Sequence, residues 1–412
     1  MGSMEEKKKT LLIVSQVYVP DSASVGQHMH ETAALMVERG WRVIVYASAN
    51  GYEDPSVRYD KRETRDGVEI RRLPFSSMGK ASIAMRLLGG CVFLFQAMLH
   101  ALFAPRPDVV LVSTSPPMAM IAGVWMKLLR RCAVVFWAMD INPDQMIAMG
   151  KIGEHSLPAT IFNALDRAIL KRADAVVALD HYMAEALERK TPVGQRMHIM
   201  PPWPIGASLE PVDHKDNPFR AEHGLSDKFV IMYSGNLSPA HPIDTILEAA
   251  RDLRDRPQIV FLFIGGGLVR RDIEAYVKQH NLTNVMTLPY QPMDKLRFSL
   301  SAADVHLVAM GDAMVGVVHP CKVYGALAVA RPVLLVGPKR CHVGEILHDH
   351  ECGWQVDHGD TVGAVMTIRL MMQTPEHERA AMRQRAWQAA QGELSRATLA
   401  GRFCDVLESA AR

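Results

Sequence analysis

The chain lacks any ordered cysteine spacing. Cys91, Cys132, Cys321, Cys341, Cys352 and Cys404 are scattered with no CxxC pair. That disfavours a zinc ribbon or a disulfide framework and suits reduced thiols. Neither sign of charge is in excess: 46 Lys and Arg face 44 Asp and Glu, leaving a formal charge of +2. Bulk charge therefore implies no nucleic-acid partner, and attraction to phosphate or membrane has to come from local patches. There is no low-complexity tract and no repeat of 20–50 residues, which excludes solenoids and arrays. No uninterrupted apolar run spans a bilayer. The nearest candidate, Ser82 to Ala104, contains Arg86, Gln96 and His100 and reads as an amphipathic or buried helix. Lys7-Lys8-Lys9 leads straight into a short strand-like run rather than a secretory leader, which predicts a cytoplasmic chain.

What is present is an ordinary globular mixture, 49% hydrophobic and 22% charged, in a chain long enough for two cores. Short apolar runs at Leu11–Val14, Val43–Tyr46, Val68–Ile70, Val109–Val112, Ala133–Phe136 and Ala175–Ala178 read as strands. Helical stretches lie between most of them, Gly26 to Arg39 being the first. Continuous apolar strands separated by helices predict a parallel sheet covered on both faces. The pattern pauses at Pro201-Pro202-Trp203-Pro204 and restarts with strands at Phe229–Met232, Ile259–Phe263, Ala303–Val308 and Pro332–Leu335. The reading is α/β: two doubly wound Rossmann-like domains, 1–205 and 206–390, with a ligand cleft expected between them. A long terminal helix, about Glu376 to Leu407, is expected to return and brace the first domain through residues 391–412.

Several segments carry a family resemblance. Tyr233-Ser234-Gly235-Asn236-Leu237, with Ala240-His241 and Leu247-Glu248-Ala249-Ala250 after it, resembles the donor-site turn of family-4 glycosyltransferases. Leu288-Pro289-Tyr290-Gln291-Pro292 and Leu300 to Leu307 match the same family further on. His319-Pro320-Cys321-Lys322-Val323-Tyr324-Gly325, ending in Ala330-Arg331-Pro332-Val333, is similar to the Pro-Ser-Lys-x-Tyr-Gly stretch of a WbuB-like branch. That branch serves colanic acid, O-antigen and exopolysaccharide synthesis. The resemblance covers nearly the whole chain. It implies a GT-B fold, a nucleotide-diphosphate sugar donor with UDP preferred, retention of anomeric configuration and no required metal or other cofactor. Without Mg²⁺ the departing diphosphate has to be met by side chains and helix N-termini.

The candidate site residues follow. Gly26, opening a helix after the loop 20–25, lets backbone approach a sugar or diphosphate closely, or simply turns loop into helix. Asp140 stands just past a buried strand in a Pro-containing loop, where it can accept the proton of an acceptor hydroxyl, orient that hydroxyl, or merely bracket the loop. Relatives carry Arg and Lys where this chain has Asn236 and His241, so less fixed positive charge is available and the load shifts to Lys322, whose ammonium suits a phosphate. Lys322 and Asp140 are the catalytic candidates. Gly26, Gly235, Asn236, His241, Gly265, Tyr290, Tyr324 and Glu345 are the donor-binding ones, with the base near Tyr290 and a ribose diol near Glu345. Arg270 and Arg271 are candidate helpers or exposed helix charges. The paired glutamates of many family members are absent, Val317 and Gly325 occupying those places. His28, His30, His181, His319, His348 and His350 show no metal-ligand spacing, and no metal site is assigned.

The expected partners are the nucleotide sugar and a glycan or lipid-linked acceptor, with peripheral contact to the cytoplasmic membrane face and no nucleic acid. Lys127, Arg130 and Arg131 beside the apolar segments Ser82–Ala104 and Met118–Leu129 motivate the membrane contact. Two competing functions remain: a non-hydrolysing sugar-nucleotide epimerase of the same fold, and a catalytically degenerate nucleotide-sugar-binding subunit.

Overall fold

A computed structural model describes residues 8–21, 23–51, 54, 56–76, 83–205 and 209–411, without the side chains of residues 83, 84 and 86. Lys7, Ser22, Ser82 and the Arg86 side chain, which enter the readings above, lie outside the described residues. The chain divides into two compact units, Met1–Pro202 with Arg396–Arg412, and Trp203–Ser395.

In the first unit the strands are β1 (Thr10–Val14), β2 (Arg42–Ser48), β3 (Arg62–Arg65), β4 (Val68–Leu73), β5 (Val109–Val112), β6 (Ala133–Ala138), β7 (Ala175–Ala178) and β8 (Met197–Ile199). Their order is β3-β4-β2-β1-β5-β6-β7-β8, parallel throughout except where β3 runs against β4. Leu11 to Val14 are at most 2% exposed, as expected where both faces of a parallel sheet are covered. The helices are α1 (Ser24–Glu38), α2 (Ile83–Phe103), α3 (Met120–Arg130), α4 (Asp144–Ala148), α5 (Leu157–Leu170) and α6 (His181–Lys190). Side-chain caps start two of them: Ser156 accepts from the Ala159 N–H and Asp180 from the Met183 N–H.

The second unit has β9 (Phe229–Ser234), β10 (Ile259–Ile264), β11 (Val285–Leu288), β12 (Val305–Ala309), β13 (Val333–Val336) and β14 (Gly353–Val356). They are parallel, in the order β11-β10-β9-β12-β13-β14. Alternate residues feed opposite faces: Ile231, Tyr233, Phe261 and Phe263 enter one core, and Val230, Met232, Leu262 and Ile264 the other. Its helices are α7 (Pro218–Glu222), α8 (Asp244–Asp252), α9 (Arg270–His280), α10 (Leu296–Ser301), α11 (Lys322–Ala328), α12 (His342–His350), α13 (Thr361–Gln373) and α14 (Glu376–Gln391). Arg331, within the most diagnostic motif, is a structural tie. Its buried guanidinium donates to the carbonyls of Ser301, Ala303 and Val212, and burial pushes its pKa down to about 10.

The terminal helix differs from expectation. Instead of one helix from about Glu376 to Leu407, α14 stops at Gly392 and a new helix, α15 (Arg396–Ala410), begins. The division between the units falls in the break. Within the first unit α15 packs on α1, β5 and β6. Phe403 sets its ring 4.2 Å from that of Trp137, and Arg39 pairs with Asp405 at 2.7 Å.

Candidate functional site

In each sheet the crossovers reverse direction at one place, between β1 and β5 in the first unit and between β9 and β12 in the second. Open α/β sheets bind ligands at the carboxyl ends of such strands, where diverging loops leave a crevice. In the second unit that place is built by the loops after β9, β10 and β11 and by the start of α11. The Gly235 N–H donates to the Ile264 carbonyl and the Gly265 N–H to the Leu288 carbonyl, each at 2.9 Å, so the ladder runs one residue past the strands.

Both positions require glycine. Gly235 and Gly265 have φ of +137°, and a Cβ on Gly265 would stand 2.0 Å from the Gly235 carbonyl oxygen. A Cβ on Gly235 would stand 2.8 Å from Cε of Lys322. The missing side chain is what lets the lysine stem lie against the main chain.

Lys322 is the first residue of α11. Its ammonium sits 4.9 Å from the centroid of the Tyr233 ring, within cation–π range. The Tyr233 hydroxyl donates to the Asn236 carbonyl at 2.7 Å, so ring and loop are held together. No carboxylate pairs with Lys322 among the described residues. His241 lies close by. Its Nδ1 meets the Ala309 carbonyl at 2.9 Å, a contact that joins the loop after β9 to the end of β12 across the switch point. Burial first, and the Lys322 charge second, push the imidazole pKa down to about 3. A neutral ring donating from Nδ1 follows. His241 therefore brings no positive charge.

The other expected donor residues fall into three groups. Asn236 is exposed at the loop tip, and Tyr290, 43% exposed, leans its ring on Gly265 and Gly266. These two join Gly235, Gly265, His241 and Lys322 in one place. Tyr324, in contrast, is 1% exposed. Its hydroxyl lies 2.6 Å from Nε2 of His319 and 2.7 Å from Nε2 of His342, forming a chain of three side chains beneath the start of α11. It holds α11 against α12 rather than facing outward. Glu345 stands in the first turn of α12, partly exposed, its N–H bonded to the Cys341 carbonyl. Arg270 braces the turn by donating to the Gly265 carbonyl and pairing with Glu274 at 2.8 Å, while Arg271 is exposed on α9. Sequence reasoning missed the His319–Tyr324–His342 chain. His319 and Tyr324 share one motif, but His342 lies 18 residues on, and only the fold brings it to the Tyr324 hydroxyl.

In the first unit Asp140 stands two residues past β6. It lines a cavity of about 30 Å³ with Ser113, Met118, Phe136, Ile141 and Asp166, about the space one water needs. Burial raises its carboxyl pKa to about 6, a value at which it takes a proton near neutrality. Asp166 is also pushed up to about 6, by burial against the opposing pull of Lys190 at 2.7 Å. Lys190 is buried and further held by Asn163 and Asp144. Gly26 lies in the buried first turn of α1, where a Cβ would come 2.9 Å from Cα of Tyr18. The close approach it permits is to that main chain. The histidines are dispersed, His28 on the Ser24 carbonyl, His30 on Asp66 and His350 on Glu393. Among the described residues no group of three His, Cys, Asp or Glu is placed to hold a metal ion.

Two family models match the chain: a glycosyl transferase 4-like domain over residues 24–203, and the glycosyl transferases group 1 over residues 215–389. A protein of Pseudomonas aeruginosa named as the glycosyltransferase WbjE is 25% identical over 366 residues, covering 87% of this chain and 88% of its own. A protein of Escherichia coli strain K12 named for colanic acid biosynthesis, the glycosyl transferase WcaI, is 24% identical over 352 residues, with coverage of 82% and 85%. Among solved structures, sucrose-phosphate synthase from Thermosynechococcus elongatus superposes with a TM-score of 0.79 at 16% identity over 98% of this chain and 99% of that one. HepE of Anabaena, solved in complex with UDP-glucose, superposes at 0.70 and 13% identity over 97% and 99%. These likenesses establish the fold as GT-B.

Proposed function

Because the chain belongs to the GT-B glycosyltransferases of family-4 type, we propose that it transfers a sugar, with retention of configuration, from a UDP-sugar to a lipid-linked or oligosaccharide acceptor in surface-polysaccharide synthesis. One observation carries the donor side: Lys322, an ammonium without a carboxylate partner among the described residues, stands at the switch point against a glycine that admits its stem. In this reading it neutralises the diphosphate as the bond from the sugar's anomeric carbon to phosphate oxygen breaks. The low pKa of His241 supports a single-cation site. A cation meeting the leaving phosphate supports a reaction that needs no metal.

Gly235, Asn236 and Gly265 offer main-chain groups to the donor, Tyr290 a surface for its base, and Glu345 a carboxylate for its ribose. Tyr324 acts through Lys322 rather than on the donor. As the new bond forms from acceptor oxygen to anomeric carbon, the acceptor proton passes to the leaving phosphate, with Asp140 orienting the hydroxyl, or to Asp140 itself. That HepE was solved with UDP-glucose supports UDP as the base-bearing half. The name of WcaI supports a polysaccharide product. A membrane-borne acceptor implies peripheral contact with the cytoplasmic membrane face.

The test is turnover of a panel of UDP- and GDP-sugars with a chelator present, with and without oligosaccharide and lipid-phosphate acceptors. Acceptor-dependent release of UDP and an axial or equatorial linkage matching the donor are expected. Donor conversion without acceptor would instead identify an epimerase, and binding without turnover a silent subunit.

A further inference from the structure

Three neighbouring helices of the first unit leave apolar residues exposed: α2 and α3, which pack on strands, and α5, which packs on α3 and α6. On α2 the outward positions Leu88, Cys91, Phe95, Leu99 and Leu102 recur at helical spacing, and Phe95 is 60% exposed. On α3 they are Trp125, Leu128 and Leu129, and on α5 Leu157, Ile161 and Leu165. α3 packs on both α2 and α5, so the stripes are adjacent. Contiguous exposed apolar surface of this kind marks an interaction site rather than ordinary surface.

The charges around it are mostly positive, with exposed Glu154 just before α5 an exception. From Ile83 to Arg131 the sole acidic residue is Asp108, and its carboxylate accepts the Thr10 N–H at 2.7 Å. The carboxylate on α5, Asp166, is held by Lys190. At the C-terminal ends of the three helices the cations are laced together. Arg130 donates to the carbonyls of Ala101 and Ala104, Arg106 to that of Arg131, and Lys127 to that of Arg172. Bonding to carbonyls orders these side chains and leaves their charge in place. Only Lys127 is offset, by Asp174 at 2.6 Å. Arg106, Arg131 and Lys171 are exposed and form no ion pair among the described residues.

We propose that the outer faces of α2, α3 and α5 form a docking surface for an anionic phospholipid bilayer, the apolar stripes entering the headgroup boundary and Arg106, Arg131 and Lys171 meeting lipid phosphates. A cluster of cations at the C-terminal ends of apolar helices is complementary to anionic lipid. No helix among the described residues is long and apolar enough to cross a membrane. The Asp140 cavity lies beneath the same elements, lined by Met120 of α3 and by Ile169 and Leu170 of α5. The proposal rests on the transferase reading for its purpose, which is to bring a membrane-borne acceptor to that cavity.

The test is co-sedimentation of the full chain with phosphatidylcholine vesicles, with and without phosphatidylglycerol. Binding to the anionic vesicles that weakens with salt is expected. The double change Arg131→Gln with Lys171→Gln should weaken it about 30-fold, and Phe95→Ser with Leu128→Ser should reduce it to background. Unchanged thermal melting shows that the variants are folded. No binding by the parent chain, or equal binding by parent and variants, overturns the proposal. So does a self-associated dimer in sedimentation equilibrium that Phe95→Ser with Leu128→Ser dissolves, since a second copy would then own the face. Vesicle binding without sugar transfer would fault the catalytic reading and leave this one standing.

Discussion

Burial first, and the neighbouring Lys322 charge second, set the chemistry of His241. A protonated imidazole beside the ammonium would add like-charge repulsion to the cost of burial, so the ring stays neutral and the lysine alone carries charge. Asp140 has the opposite problem, a carboxylate driven into an apolar cavity. Its folded pKa of about 6 lies above the ordinary value of 3.8 for an aspartate, so the folded state holds the proton more tightly. The stability this contributes is complete below about 3.8 and lost as pH rises through about 6. Asp140→Asn should therefore stabilise the first unit at pH 8, by up to about 3 kcal/mol, and give no gain at pH 4. Turnover should fall at both. Urea unfolding at the two pH values checks this, and a gain independent of pH would count against a titrating buried carboxyl. The sequence singles out Lys322 as a candidate, because a phosphate site lacking Arg would need a cation and its motif supplies one. The burial of Tyr324 was not legible there, since nothing local distinguishes a buried tyrosine from an exposed one in this motif.

Elements were legible in proportion to their burial. The strands of both sheet centres announce themselves as β-branched and aromatic runs, because a strand covered on both faces has no polar side. β3, Arg-Glu-Thr-Arg, carries no such signal and exists by pairing with β4. β8 has three residues and sits at the sheet's end. The terminal helix was misread because helical composition resumes after Gly392, and the glycine at the α14 C-cap was not taken as a stop. That break gives α15 to the first unit. Phe403, fully buried on Trp137, is its anchor. Phe403→Ala should cost about 3–5 kcal/mol, lowering the melting of the first unit while leaving nucleotide affinity in the second within a factor of about two. Differential scanning calorimetry with UDP titration separates the two effects. An equal loss in both would mean that α15 supports more than the unit it packs on.

For the molecule as a whole, two sheets of like construction carry different chemistry at their strand ends. One has a carboxyl whose pKa is raised to about 6 in a cavity it shares with Asp166, and the other a lysine, unpaired among the described residues, on a glycine turn. In the proposed mechanism, proton handling and phosphate handling fall to separate cores. The duplicated αβ pattern was readable from hydrophobic periodicity alone. The base of the proposed donor was not, because a base met by main-chain groups would leave no side-chain signature. The most direct measurement is isothermal titration of UDP into the chain and into Lys322→Ala, in chelator. The account predicts measurable binding by the parent chain and a loss of about 10- to 100-fold in the variant, as befits one charge-assisted phosphate contact. Equal affinity in the two would contradict it.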